Sequence, residues 1–136
     1  MKLQPDRSNV PTVTGVGPGW VAVNGERIER SLIFASDGQR IEWPVRSFEE
    51  LSESHFEALS GLAVEVVIFG SGSRIRFPRP AWIAALAQRR IGVETMDTAA
   101  ACRTYNILAH EGRSVAAALL VEPESNALGG LRRTEG

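Results

Sequence analysis

The spacing of apolar and polar positions divides the chain into a β-rich first third and an alternating β/α remainder. Trp20-Val21-Ala22-Val23 reads as a strand. The Asn24-Gly25 pair that follows is the strongest short hairpin signal, because both residues accept the positive φ of a type I′ turn. A return strand is expected over approximately residues 27–35, ending at the tight-turn pair Asp37-Gly38, and a third strand over 39–43, closed by Pro44. Gly15, Gly17, Pro18 and Gly19 read as a turn-rich approach to the first of these strands, so this part of the chain is expected to be an antiparallel meander. A helix is expected next. Ser47 and Glu50 have capping-box spacing, and Phe48, Leu51, Phe56 and Leu59 supply an apolar stripe near helical period. Glu49, Glu50 and Glu53 suit the positive end of its dipole, and Gly61 is a natural stop.

From there the pattern becomes β-α-β-α-β. Residues 64–69 form the nearly continuous apolar run of a strand covered on both faces. The loop Gly70-Ser71-Gly72-Ser73 leads to a helix start bracketed by Pro78 and Pro80, with Trp82, Ile83 and Leu86 as packing residues and an end near Arg90. Residues 93–96 are a second strand, Thr98 is expected to cap a second helix to about Glu111, and 115–121 are a third strand. Short helical crossovers imply parallel neighbours. The expected fold is therefore α/β: one three-layer domain over residues 11–121, whose central mixed sheet has a parallel β-α-β-α-β part and an N-terminal antiparallel meander. Residues 1–10 are expected to be a flexible arm and 122–136, with Pro123, Gly129 and Gly130 and few apolar positions, a disordered tail.

A chain of 136 residues buries roughly 65–70% of its unfolded surface, enough for a core without a structural metal or disulfide. Cys102 is the only cysteine, so no intrachain disulfide forms. The first residues lack an apolar signal core and the Arg-rich, acid-poor character of a mitochondrial presequence, and the longest apolar runs are strand-sized. A cytoplasmic protein without a transmembrane segment is expected. The net charge of −1 argues against indiscriminate nucleic-acid binding.

Two strand-to-helix junctions carry the candidate chemistry. Gly70, Ser71, Gly72, Ser73, Arg74 and Arg76 follow a parallel strand at the edge where open α/β sheets bind ligands. Glycines let backbone N–H groups approach an anion and the arginines add charge, but the run lacks the third glycine of a dinucleotide fingerprint, the Gly-Lys-Ser/Thr of a P-loop and the Gly-x-Ser-x-Gly of a nucleophile elbow. The second junction offers Asp97, Thr98, Cys102, Arg103, Tyr105 and Asn106. Arg103, Asn106 and His110 share a helical stripe that suits either a solvated face or a pocket wall. Near a helix N-terminus and Arg103, Cys102 could be a reactive thiolate; as a buried small hydrophobe it would be inert. The histidines, the cysteine and Asp97 have no recognised metal-ligand spacing, and Glu49, Glu50, Glu53 and Glu57 read as a solvated acidic helix face.

The words Phe69-Gly70-Ser71-Gly72, Ile91-Gly92-Val93-Glu94-Thr95-Met96-Asp97-Thr98, Ala101-Cys102-Arg103-Thr104-Tyr105-Asn106 and His110-Glu111-Gly112-Arg113 leading to Ala117-Ala118-Leu119 resemble a known family. It is the domain of unknown function that includes mitochondrial respiratory complex I assembly factor 3 and an adipogenesis-associated animal protein. The resemblance covers most of residues 13–121. It implies a three-layer α/β fold, a bacterial member, and signature positions at Gly70, Gly72, Asp97, Thr98, Ala101, Tyr105 and Asn106, with no catalytic residue and no cofactor assigned. The expected function is thus a non-catalytic binding or assembly-factor-like protein with a protein partner. The alternative is an enzyme binding a small molecule or small anion at the two junctions. Nucleic-acid binding ranks last, for want of aromatics and a recognised motif.

The near-zero net charge hides a division. Residues 1–73 carry −4, residues 74–113 carry +4 and residues 114–136 carry −1. The positive block coincides with both junctions, so a local electropositive surface is expected there. Its cations are all arginine, since Lys2 is the only lysine, and that favours planar, bidentate contacts.

Overall fold

Apolar side chains alternate between two cores, and this alternation builds the molecule. A computed structural model describes residues 10–123; the arm before Val10 and the tail after Pro123 lie outside the described residues. Five strands form the central sheet: β4 (Leu32–Ala35), β5 (Arg40–Glu42), β6 (Val66–Gly70), β7 (Gly92–Met96) and β8 (Val115–Leu119). Their spatial order is β5-β4-β8-β6-β7. β6 runs parallel to both β7 and β8, whereas β4 is antiparallel to β8 and to β5. Leu32, Phe34, Ile68, Ala117 and Leu119 point into one core, and Ile33, Ala35, Val67, Phe69, Ala116 and Ala118 into the other. That is the period of two that a strand with both faces covered imposes.

The first core is closed by α3 (Thr98–His110) and by a small antiparallel sheet of β1 (Val13–Gly17), β2 (Trp20–Val23) and β3 (Glu26–Ile28). The second is closed by α1 (Glu53–Glu57) and α2 (Pro80–Gln88). The alanines at 116–118 of the central strand leave room for large rings on either side. Phe34 meets Tyr105 edge to face at 4.8 Å, and Phe56 packs on Phe69 at 5.2 Å and stacks on Trp82 at 5.7 Å.

The architecture is the expected α/β fold, with four local corrections. The return strand breaks between Ile28 and Leu32, so the meander is shared between two sheets. The break sits at buried Ser31, whose hydroxyl accepts from Val121 N while its carbonyl accepts from Trp43 N. A strand also precedes Trp20, where a turn-rich approach was expected. Its glycines carry no side chains to alternate, and the indole of Trp20 fills the space beside Gly15 and Gly17. The helix expected from Ser47 is only a single 3-10 turn at Phe48–Glu50, after which Leu51 is extended. Helix α1 begins at Glu53, where His55 Nδ1 accepts from Ser52 N. The Glu50 carboxylate instead accepts from Arg46 N. Finally, two residues of the expected polar stripe of α3, Asn106 and His110, meet the N-terminal segment, while Arg103 is exposed. Asn106 accepts from Val13 N at 2.9 Å and donates to Val13 O at 2.8 Å, and Tyr105 Oη donates to Pro11 O at 2.8 Å. Thr12 Oγ1 lies 3.2 Å from His110 Nε2. The N-terminal strand is therefore pinned to α3 by its backbone.

Gly70 ends β6 under α3. A Cβ there would lie 3.0 Å from Thr98 Cα, and 3.1 Å from Ala101 Cβ and from Leu119 Cδ2. Two of these atoms are backbone or the stub of a short side chain, so the helix itself would have to shift. Gly70→Ala is expected to destabilise the fold by about 1–3 kcal/mol. Gly61→Ala, where a Cβ meets nothing within 4 Å, is expected to change it by less than about 0.5 kcal/mol. Urea unfolding of both variants measures the difference.

Candidate functional site

Parallel strands β6 and β8 end at the same edge of the sheet, and the chain leaving each must satisfy its backbone groups without a further strand. Thr98 does this for both. Its N–H donates to Gly72 O at 2.8 Å, its hydroxyl accepts from Gly72 N at 2.9 Å, and the hydroxyl donates to Leu120 O at 2.8 Å. Thr98 is thus the first residue of α3 and a buried clamp, not its cap. Asp97 is the cap: its Oδ1 accepts from Ala100 N at 2.9 Å. The two junctions read from the sequence therefore meet in space.

The glycine loop is organised inward. The hydroxyl of fully buried Ser71 donates to Arg74 O at 2.8 Å and accepts from Arg76 N at 2.8 Å, while Ser71 N donates to Met96 O. Arg76 donates through Nη2 to Ser71 O at 2.7 Å and to Glu122 Oε2 at 3.0 Å, and its guanidinium lies 4.9 Å over the Phe48 ring. Gly72 has φ +103°, and a Cβ there would overlap Arg76 Nη2 and Glu122 Oε1. Its glycine makes room for an internal ion pair, where an approaching anion was expected. That pair is 14% and 25% exposed on its two sides.

Above this platform lies a cleft of about 640 Å³, within the range of small-ligand sites. Its walls are the β1–β2 turn from Val16 to Trp20, Ser47 and Glu49, Gly72 and Ser73, Asp97 to Ala99, and Leu120 to Pro123. Among the described residues, the acidic side chains lining it are Glu49, Asp97 and Glu122, and no lysine or arginine lines it. The +4 block therefore places none of its described arginines in the cleft lining. Arg76 is held by Glu122, with Glu49 at 3.9 Å, and Arg113 by Glu65 at 3.4 Å.

Of the residues singled out in the sequence, the cleft brings together Gly72, Ser73, Asp97 and Thr98. Gly70, Ser71 and Arg76 support its floor from behind. Arg74 and Arg103 are exposed outside its lining, and Asn106 holds β1. Cys102 and Tyr105 lie in the core. Cys102 is 2% exposed, and burial pushes its thiol from 9.0 up to about 12, outweighing the opposing charge of Arg103. Burial likewise pushes the Tyr105 phenol up, with a smaller contribution from Asp37. A thiolate at Cys102 is therefore disfavoured, contrary to the helix-terminus argument. The residues missed by sequence reasoning are the β1–β2 turn, Glu49 and the segment after β8. The Gly17-Pro18-Gly19 run signalled a turn, but nothing in the sequence tells which layer it overhangs. On the loop that follows Gly72 and Ser73, Ile75 and Phe77 are exposed, Phe77 at 69%. Among the described residues no helix is long and apolar enough to cross a membrane.

Comparison with known proteins gives a consistent picture. The family described as protein of unknown function (DUF498/DUF598) matches residues 13–120. The chain is 39% identical over 108 residues to the bovine NADH dehydrogenase [ubiquinone] 1 alpha subcomplex assembly factor 3, covering 78% of this chain and 58% of that protein. The human protein of the same name is 37% identical over 90 residues, covering 65% and 49%. The chain thus spans about half the length of these animal relatives. An uncharacterised protein of Rhodobacter capsulatus is 30% identical over 120 residues, covering 88% of this chain and 92% of its own length. Among solved structures, a Bordetella parapertussis protein superposes with a TM-score of 0.78 at 40% identity, covering 83% of this chain and 97% of that one. A Bordetella pertussis protein described as a Mth938-like domain gives 0.78 at 34% identity, covering 91% and 94%.

Thr98→Val keeps the shape but orphans Gly72 N and Leu120 O. It is expected to cost about 2–4 kcal/mol in chemical denaturation, with Thr98→Ser recovering most of the loss. Native Cys102 is expected to resist a thiol reagent at pH 8 that labels the unfolded chain at once. Its thiol stays protonated in the fold up to about 12 but ionises near 9.0 when unfolded. Its contribution to stability is therefore complete below pH 9 and is lost as pH rises from there towards 12. Thermal melts of Cys102→Ala are expected to show a flatter decline over that window.

Proposed function

The chain belongs to the DUF498/DUF598 family of proteins of unknown function, and from that membership we propose that it is a non-catalytic, assembly-factor-like protein that holds a partner protein at the edge cleft. The animal relatives named as assembly factors support the assembly role. The observation that carries the cleft as the docking site is its composition. Segments from both sheets and from α3 converge on one concave surface with apolar walls, and the loop that supplies Gly72 and Ser73 also carries exposed Ile75 and Phe77.

The alternative, an enzyme using the junctions around Gly70–Arg74 and Asp97–Asn106, finds less support. The hydroxyls of Ser71 and Thr98 are committed to backbone partners, and Cys102 and Tyr105 are buried. A small anion also fits poorly beside Glu49, Asp97 and Glu122, as does nucleic acid. The cytoplasm as the site of action and residues 11–121 as the folded unit belong to the same proposal and rest on the sequence pattern.

Affinity capture with mass spectrometry tests it. The tagged chain is expected to recover a reproducible partner. Ser73→Trp, which fills the cleft from an exposed position, is expected to lower that recovery at least tenfold, while Ala84→Trp on the outer face of α2 leaves it unchanged. Equal recovery by all three proteins, or no reproducible partner, would overturn the reading.

A further inference from the structure

Among the described residues the most exposed large apolar side chain is Phe77, and Ile75 on the same loop is 50% exposed. Exposed Arg74 and Arg79 flank them, and among the described residues neither forms an ion pair. The loop is braced. The Ser71 hydroxyl holds Arg74 O and Arg76 N across Ile75, at 2.8 Å each. Pro78 and Pro80 fix φ on the far side of Phe77. An apolar tip held rigidly in water is a feature of a docking surface, because covering it removes apolar area at little cost in loop freedom. Its complement is concave, apolar and negatively charged. The cleft has that chemistry. Glu49, Asp97 and Glu122 line it, and Arg76 offsets one of them from behind, so two negative charges remain to face Arg74 and Arg79. Val16, Trp20, Leu120 and Pro123 supply apolar wall. The loop does not fill the cleft of its own chain, since Ile75 and Phe77 are exposed and lie outside its lining.

We propose that two copies of this chain pair about a two-fold axis, the loop from Arg74 to Arg79 of each seated in the cleft of the other. Ile75 and Phe77 then cover the apolar walls, and Arg74 and Arg79 meet the unpaired carboxylates. The chain permits this exchange. Ser73 is a wall residue, and Ile75 follows it by two positions, at most ~7 Å along the backbone. Loop and cleft therefore open at the same end of the molecule, and two copies facing each other at that end bring both contacts together. The two-fold arrangement closes the assembly, whereas a single head-to-tail contact would continue into a filament. It also doubles a contact that is small by itself against the roughly 1,000 Å² that a stable interface buries. The inference goes beyond the partner reading and uses only the shape and charge of the cleft. Its consequence for that reading is competition: a partner and a second copy take the same surface.

The test is the oligomeric state of the full 136-residue chain by sedimentation equilibrium. Wild type is expected to pass from one to two chains with a dissociation constant on the order of 10–100 μM. Phe77→Ser, Arg74→Glu/Arg79→Glu and Glu49→Arg change exposed side chains. Each is expected to weaken pairing at least tenfold, with amide spectra that remain those of the folded chain. Mixing then separates this exchange from any other contact. Phe77→Ser keeps an intact cleft and Glu49→Arg an intact loop, so one good contact forms between the two variants. Adding unlabelled Glu49→Arg to labelled Phe77→Ser at millimolar concentration is expected to shift Gly19, Ala99 and the Trp20 indole of the labelled chain, which unlabelled Phe77→Ser leaves in place. A wild-type chain that stays single up to 1 mM, variants that pair as wild type does, or a mixture without those shifts overturns the proposal. A single chain that sediments with phosphatidylserine vesicles through Phe77 also overturns it, by assigning the loop to a lipid surface. None of these outcomes touches the partner reading, which stands or falls on the Ser73→Trp capture.

Discussion

Two parallel strands that end side by side leave unpaired carbonyl and amide groups at a buried edge, and the whole carboxyl end of this molecule is arranged around satisfying them. Thr98 satisfies three such groups with one backbone N–H and one hydroxyl. Each would cost about 1–3 kcal/mol if left unpaired. The clamp works only if α3 approaches the sheet closely, and that approach exists because Gly70 has no Cβ. Once the helix is placed, Asp97 caps it and Ala99 faces the cleft. The surface that could serve a partner is thus a by-product of closing the edge.

The ion pair between Arg76 and Glu122 extends the same logic. It ties the loop after β6 to the segment after β8, across a glycine whose missing side chain leaves room for it. Half-buried pairs of this kind are costly to break one side at a time, because the remaining charge stays desolvated. It also withdraws Arg76 from the cations that could make the cleft basic. A charge count along the sequence records how many cations a segment carries, whereas the field at a cleft depends on which of them are already paired.

Most of the fold was legible because its signals are local. Strands β6 and β8 announce themselves as short continuous apolar runs, and the hairpin after Val23 as Asn-Gly. What failed locally failed for tertiary reasons. The Ser47–Glu50 spacing satisfies a capping rule, yet Leu51 is drawn into the core in an extended conformation and the helix starts later. Strand β1 was invisible because alternate positions are glycines filled by a tryptophan from its neighbour. The site was half legible. The family words marked Gly72, Asp97 and Thr98 among seven signature positions on two separate junctions, but their roles as clearance, cap and clamp emerge only when the two junctions are seen to touch. Its far wall comes from a separate sheet, and no sequence spacing encodes that juxtaposition.

Pinning β1 by its backbone to Asn106 and Tyr105 links positions 93 and 94 residues apart. During synthesis, at about 5–20 residues per second, residues 11–13 leave the ribosome roughly 5–20 s before the helix that receives them. Through that interval Val21 and Val23, which the finished core buries, have no α3 to pack against. Two strands alone are marginally stable in water. The interval between making the hairpin and making α3 is thus the stage at which a nascent chain of this design most needs shielding by a chaperone.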